Sequence, residues 1–205
     1  MSLPPVELFT IAEARAFDRG QLADEARYPD AVIAEHRDRI AEDFAHICGV
    51  AFVPTEATVT VDGTGSDLLF VPHLRVQAVM QVAVRDRTAW VAWEADALAD
   101  ILVLPGGMLR REFLGAWPRG VQNIRVTYIH GYPTPPLAIK RAALKVLVSS
   151  AGAVSSNLPE RATSFSDETG TFRLATPGLT PGSWYGIPEV DRVLQDYRER
   201  VPVLG

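Results

Sequence analysis

The histidines are the first side chains to consider for acid–base or metal chemistry. They stand at His36, His46, His73 and His130. No two are three or four residues apart, the spacing that places two imidazoles on one helix face for a metal ion, and no HExxH pattern is present. His130 lies at the end of a predicted strand and could act as a base, but a hydrogen-bonded structural histidine is the more common case. The sequence therefore predicts no metal site and no cofactor.

The segment Gly63-Thr64-Gly65-Ser66-Asp67 has two glycines in the manner of a phosphate-binding loop. It lacks the GK[ST] ending, and a strand-like run follows it, so no helix N-terminus would face an anion. Ser66 and Asp67 could belong to a catalytic triad, yet no GxSxG pattern surrounds the serine. We interpret the segment as a hairpin turn.

Paired carboxylates and tryptophans offer two further kinds of site. General acid–base chemistry needs two carboxylates in a cleft that separates their pKa values, and a stacking platform for bases or sugars needs aromatic rings beside a basic stripe. Neither setting is evident, so we expect solvated carboxylates and tryptophans packed in a core or interface. The residues concerned are Glu42 with Asp43, Glu94 with Asp96, Asp167 with Glu168, and Trp90, Trp93, Trp117 and Trp184.

Composition and charge restrict the class of protein. The chain has 205 residues, 47% of them hydrophobic, enough for one substantial domain or a small domain with an insertion. Its net charge of -5 argues against tight binding of nucleic acid, because phosphates require clustered Lys and Arg. No apolar run approaches the roughly 18 to 20 residues of a membrane span. Met1 to Phe9 lacks a secretory signal pattern, so we expect synthesis in the cytoplasm, and the single Cys48 excludes an internal disulfide.

Two helices are predicted before residue 57. Thr10 and Glu13 form a capping-box pattern that starts a short helix ending near Gly20. A second helix starts around Tyr28-Pro29-Asp30, carries apolar residues at near-helical spacing and stops at Gly49. Its opposite face is polar and includes Glu35, Asp38, Arg39, Glu42 and Asp43.

From about residue 57 the apolar period changes to two, as in Thr58-Val59-Thr60-Val61. Six or seven short runs of β-branched and aromatic residues follow, which predicts a small antiparallel sheet or barrel. Helical spacing returns at Leu137, residues 152–186 have no periodic apolar stripe, and Pro188 opens a last helix. The predicted fold class is α+β, a small helical bundle with an inserted antiparallel β sheet or barrel, a long C-terminal arm and a terminal helix. Its parts are residues 1–56, the insertion 57–130, a third helix in 131–152, and the arm, helix and tail 153–205.

Three segments together resemble a known family. They are Thr10-Ile11-Ala12-Glu13-Ala14, then Ile124 to Tyr132 followed by Pro135-Pro136 and an Ala-rich helix, and finally Tyr185 to Leu194. Their sequence and order are similar to those of head-to-tail connector (adaptor) proteins of long-tailed bacteriophages, prophages and gene transfer agents. The β insertion fits the longer members of that family.

The resemblance implies a structural protein of the virion or phage-like particle neck, made in the bacterial cytoplasm, and not an enzyme. Such proteins form a ring, usually of twelve subunits, below the portal protein, and a stopper or tail-completion protein continues the ring. Double-stranded DNA would pass through the channel without sequence-specific binding, and no membrane is involved. The family has no catalytic residues to carry over.

Two sets of residues are candidates for this role. Apolar side chains of the C-terminal third should be buried by neighbouring subunits or the portal, because a segment so poor in periodic apolar residues cannot offset its ordering entropy alone. These are Phe165, Phe172, Trp184, Tyr185, Ile187, Val190, Leu194, Tyr197 and Val203. The second set should face the channel, where carboxylates avoid tight phosphate binding, and consists of Glu35, Asp38, Glu42 and Asp43.

An alternative from another class stays open at this point. The tryptophans and scattered carboxylates also permit a small hydrolase or a carbohydrate-binding β module with helical flanks.

Overall fold

The structure is a computed structural model and describes residues 6–113, 115–155, 164–167, 170–173 and 183–199. These residues divide into two compact units. The helical unit draws on Met1–Cys48 and Pro135–Arg198, and the β unit draws on Gly49–Thr134 and Glu199–Gly205.

The helical unit contains four α-helices, a 3-10 helix and a hairpin. The α-helices are α1 (Ile11–Ala16), α2 (Asp30–Cys48), α4 (Leu137–Ser155) and α5 (Pro188–Tyr197). The 3-10 helix Phe17–Gly20 follows α1, and the hairpin pairs β8 (Ser164–Asp167) with β9 (Gly170–Arg173). The predicted starts of the two N-terminal helices and of the last helix are confirmed.

The capping box forms as the sequence predicts. Thr10 Oγ1 accepts a hydrogen bond from the Glu13 backbone N–H at 3.1 Å, and Glu13 Oε2 accepts one from the Thr10 N–H at 2.8 Å. Lys140 Nζ on α4 lies 2.7 Å from Glu13 Oε1. The hydrogen bond from Lys140, together with the one from the Thr10 N–H, lowers the pKa of Glu13. The cap therefore ties α1 to α4 and satisfies free N–H groups at the start of the helix.

Apolar stripes on α2, α4 and α5 form the core of the helical unit. Ile33, Ile40 and Phe44 on α2 are buried, and so are four apolar residues at helical spacing on α4, Ile139, Ala143, Val146 and Leu147. The two other helices approach α5, whose Val190 and Leu194 are completely buried. Gly49, with a φ of +72°, follows α2 in the left-handed conformation typical of a residue after a helix end.

The β unit has two antiparallel sheets and one short helix. The larger sheet has the order β1-β7-β3-β4 and the smaller the order β2-β6-β5. The strands are β1 (Thr55–Gly63), β2 (Leu68–Phe70), β3 (Val76–Asp86), β4 (Ala89–Ala92), β5 (Ile101–Leu104), β6 (Met108–Arg111) and β7 (Gly120–His130), with α3 (Ala95–Ala99) between β4 and β5. Side chains from both sheets meet in a single core of Leu69, Val71, Val82, Leu109, Trp117, Ile124, Val126 and Tyr128.

The α+β class is confirmed, and the described strands form open sheets rather than a closed barrel. Three features differ from the sequence-based expectation. The helix α3 and the β8–β9 hairpin were not predicted, because each is too short to show a period. The helix α4, which corresponds to the third helix predicted in residues 131–152, runs to Ser155.

Candidate functional site

Three aromatic side chains, two buried and one half-buried, form a polar cluster at one end of β7. His73 Nδ1 lies 2.6 Å from the Tyr128 hydroxyl, and the ring of His73 stacks on that of His130 with the centroids 3.8 Å apart. Tyr128 and His130 lie on one face of β7 because residues two apart along a strand share a face. The cluster joins that strand to the loop before β3.

Burial keeps these groups neutral. It lowers the pKa of His130 to about 4, with a smaller contribution from the neighbouring His73, and it also lowers the pKa of His73. The pKa of Tyr128 is raised to about 12, again chiefly by burial. Because His73 is bonded to the tyrosine and stacked on His130, the geometry supports a structural rather than a catalytic role for His130.

A cleft of roughly 620 Å³ lies beside this cluster in the β unit. Arg75 and Glu199 both line this cleft. The Arg75 guanidinium lies 4.1 Å from the centre of the Tyr132 ring, and its Nε donates to Glu199 Oε1 at 2.5 Å. Tyr132 in turn stacks on Phe52. No local sequence pattern could have revealed this cleft, because Arg75 and Glu199 are 124 positions apart.

The Gly63 to Asp67 segment is a turn whose polar groups bind its own backbone. Thr64 Oγ1 and Ser66 Oγ lie 3.0 Å apart, and both donate to the Leu68 carbonyl, at 2.7 and 3.1 Å. A Cβ on Gly63 would lie 1.7 Å from the Pro118 carbonyl oxygen, so a glycine is required there. The hairpin prediction is wrong, because the segment leads from β1 of the larger sheet to β2 of the smaller sheet and these two strands do not pair. Its local hydrogen bonds still favour a turn over a phosphate loop or a triad.

Three of the four tryptophans, Trp90, Trp93 and Trp117, pack in the β unit instead of forming an open platform. Trp117 is 1% exposed, stacks on Trp93 with ring centroids 5.1 Å apart, and donates from Nε1 to the Asp67 carbonyl at 3.1 Å. Arg111 covers Trp93, and Arg125 covers Trp90. These contacts use the ring faces that a base or sugar would need, so they do not favour the carbohydrate-binding alternative.

The acidic residues predicted to face a channel lie along α2. Glu35, Asp38, Glu42 and Asp43 are all exposed. Glu35 accepts from Arg39 at 3.2 Å, Asp38 accepts from Arg37 at 2.9 Å, and Asp43 accepts from the Tyr185 hydroxyl at 3.2 Å. The row is therefore a solvated carboxylate surface with local partners.

The predicted interface residues occupy different settings. Phe165 and Phe172 are register partners in the β8–β9 hairpin, and Val203 lies outside the described residues. Trp184, Tyr185, Ile187 and Tyr197 are half-buried. The ring of Tyr185 packs edge-on against Phe44, and burial together with the nearby Asp43 raises its pKa.

Val190 and Leu194 differ from the rest of this set. Both are completely buried within the helical unit of their own chain, so they have no surface left to offer a neighbouring subunit. The physical reason is that α5 already packs its apolar stripe against α2 and α4.

No group of three His, Cys, Asp or Glu side chains in the described part of the chain could hold a metal ion. None of the described helices combines the length and the hydropathy that a membrane crossing requires.

No protein-family model matches this chain, and no curated protein matches it significantly. Among solved structures, one from the "neck of empty GTA particle computed with C6 symmetry" matches with a TM-score of 0.60 and 13% identity, over 100% of this chain and 99% of the other. This chain has the fold of a gene transfer agent neck component.

Two further matches agree with that result. A chain from the neck of a native gene transfer agent particle, computed with C12 symmetry, has a TM-score of 0.55 and 12% identity over 99% of both chains. A chain from the virion of a native gene transfer agent particle has a TM-score of 0.54 and 14% identity, over 86% of this chain and 81% of the other.

Proposed function

We propose that this protein is a structural head-to-tail adaptor, a non-catalytic subunit of a ring in the neck of a phage or gene transfer agent particle. The observation that carries the proposal is the match to a neck structure along the full length of both chains, at a TM-score of 0.60. The polar clusters support a structural role, because the histidines, tyrosine and tryptophans of the β unit are engaged with one another.

The symmetry of the similar structures supports a ring. Two of them were computed with C6 and C12 symmetry, and a twelve-subunit ring is compatible with both. A ring of identical chains needs two different patches on each subunit that meet by rotation. Each copy of this protein would therefore contact two neighbours.

In this proposal the ring lies below the portal protein and above a stopper or tail-completion protein. The half-buried Trp184, Tyr185, Ile187 and Tyr197 would contact the portal or neighbouring subunits, together with Phe165, Phe172 and Val203. Val190 and Leu194 are left out because they belong to the core of the helical unit.

The exposed carboxylates of α2 would line the DNA channel. Glu35, Asp38, Glu42 and Asp43 repel phosphates, and DNA could then pass in either direction without binding tightly. Charge reversal of all four to Lys should slow DNA release from assembled particles, while reversal of the exposed Glu56 and Glu112 on the β unit should not. Equal release rates in the two variants would refute the channel assignment.

The adaptor role is tested by deleting the gene in cells that produce particles. We expect DNA-filled heads and separate tails, because the piece that joins them is missing. Quantitative mass spectrometry of purified wild-type particles should give about twelve copies per particle, the number inferred from closed-ring symmetry. Intact tailed particles from the deletion strain, or an absence of the protein from wild-type particles, would refute the proposal.

A further inference from the structure

The smaller sheet of the β unit is apolar on both of its faces. Side chains alternate between faces along a strand, so Leu69, Leu109 and Val103, which are partners in register, all point to the core. Their sequence neighbours must point the other way. The outward set consists of Leu68 and Phe70 on β2, Met108 and Arg110 on β6, and Leu102 and Leu104 on β5, and we call it the outer face.

The outer face is incompletely covered by its own chain. Phe70 and Leu102 are each 43% exposed, and Leu68, Leu104 and Met108 are half-buried. A strand with one solvated face normally alternates apolar and polar residues, whereas Ile101-Leu102-Val103-Leu104 is apolar throughout, the pattern of a strand buried on both faces. The sequence of β5 is therefore that of a strand buried on two sides, while its own chain covers the outer face only in part.

Charge on the outer face is confined to Arg110, which pairs with a neighbouring acid. Arg110 Nε lies 3.2 Å from Asp67 Oδ2, and both side chains are about half exposed. Nucleic acid requires clustered, unpaired cations, so DNA is a poor occupant of this surface. An apolar protein surface of low charge is the complementary partner.

We infer that the outer face of β2-β6-β5 is covered by a second copy of this chain, as one of the two patches of the ring contact. The inference rests on the proposed ring function, in which each copy meets a neighbour on either side through two unlike patches. An exposed apolar patch of this kind marks a protein interaction site. The neighbouring copies are the partners that a ring supplies to every subunit.

The cleft adjoins the outer face, because the two share Leu104. Leu104 belongs to the outer face and also lines the cleft of roughly 620 Å³, next to Val103, Pro105 and Gly106. Interface cores are commonly built from a side chain of one partner seated in a pocket of the other. The cleft would receive such a side chain from the adjacent copy.

The test places a photo-reactive phenylalanine analogue at Phe70 of the full-length chain and irradiates assembled particles. The expected product is a covalent dimer of this protein, identified by mass spectrometry. The same analogue at Val91, which is 53% exposed on β4 of the larger sheet, is the matched control and should give at least about tenfold less dimer.

The outcomes separate the inference about the outer face from the adaptor role. Cross-links from Phe70 to another particle protein, or none at all, overturn the inference but leave the adaptor role intact. Dimer from Val91 as abundant as from Phe70 also overturns it, because the contact is then not specific to the outer face. Absence of the protein from particles refutes the adaptor role itself.

A double substitution measures how much assembly depends on the face. Phe70→Ser with Leu102→Ser should reduce the yield of tailed particles by about tenfold or more, whereas Val91→Ser should leave it within about twofold. Thermal unfolding of the purified variants shows whether they remain folded, as expected for substitutions of exposed side chains. A folded double variant that assembles normally contradicts the inference.

Discussion

The two units of the molecule differ in how deeply they bury their ion pairs. In the helical unit, every described pair keeps at least one side chain more than a third exposed, and even the buried Arg37 pairs with Glu7 and Asp38, which are 39% and 71% exposed. In the β unit, Arg111 and Asp100 form a pair at 3.0 Å whose side chains are only 9% and 3% exposed. Asp100 also accepts a hydrogen bond from the Phe113 backbone N–H at 2.6 Å.

This difference separates two kinds of stabilisation. Ion pairs with an exposed partner contribute little to the free energy of unfolding, so the stability of the helical unit depends on its apolar stripes. A buried pair is costly to break because the remaining charge stays desolvated, so the β unit depends on a few specific polar contacts. We therefore expect substitutions of polar and aromatic groups to be more damaging in the β unit than in the helical unit.

The largest effect should come from Trp117→Ala. The substitution removes a buried ring, its stacking on Trp93 and its hydrogen bond to Asp67, and should destabilise the β unit by about 3 to 5 kcal/mol. Chemical denaturation followed by circular dichroism measures the change. Trp90→Ala, at a partly exposed ring on β4, should cost about half as much or less. Equal losses for the two variants would show that the core is not centred on Trp117.

Asp100→Asn should be next in size. It leaves Arg111 buried without its counter-charge, and we expect a loss of about 3 kcal/mol in the free energy of unfolding. The matched control is Asp67→Asn, which breaks the exposed pair with Arg110 and should cost less than about 1 kcal/mol. If both substitutions cost the same, the contrast between buried and exposed pairs fails.

Acid should weaken the β unit through His130. Its pKa is about 4 in the folded protein and has its ordinary value near 6.5 in the unfolded chain, so the unfolded chain binds more protons between these limits. Stability is then full above about pH 6.5 and falls by on the order of 2 kcal/mol as the pH drops towards 4.

The variant His130→Phe keeps a ring at this position but cannot take up a proton. Its unfolding free energy, measured by denaturation at several pH values, should fall less steeply between pH 6.5 and 4 than that of the wild type. Parallel pH curves for the two proteins would exclude His130 as the source.

The smallest effect belongs to the helical unit. Thr10→Ala removes the hydroxyl that accepts the Glu13 N–H and should cost about 1 kcal/mol, whereas Thr10→Ser keeps the cap and should cost little. Thermal unfolding of the two variants provides the comparison. If Thr10→Ala lowered the free energy of unfolding as much as Asp100→Asn does, the helical unit would depend on specific polar contacts as strongly as the β unit.

Local signals explain which elements could be predicted from the sequence. The cap at Thr10, the stop at Gly49 and the helix start at Pro188 depend on residues within a few positions of one another, and all three are confirmed. The pair of Asp100 and Arg111 depends on the β5–β6 register and was not predicted. The cleft around Arg75 joins residues even farther apart and was missed for the same reason.

The last helix shows a second limit. Spacing predicts correctly that Val190 and Leu194 lie on one face of α5. Periodicity indicates that a face is buried, but it does not say by which chain. Here α2 and α4 of the same chain bury that face, whereas the outer face of β2-β6-β5 stays exposed.

A cryo-EM reconstruction of the particle neck, computed without imposed symmetry, tests the central claim most directly. The account predicts a closed ring of copies of this chain between head and tail, with Phe70 and Leu102 of each copy against the next. A neck without this chain, or copies that do not touch one another, would contradict it.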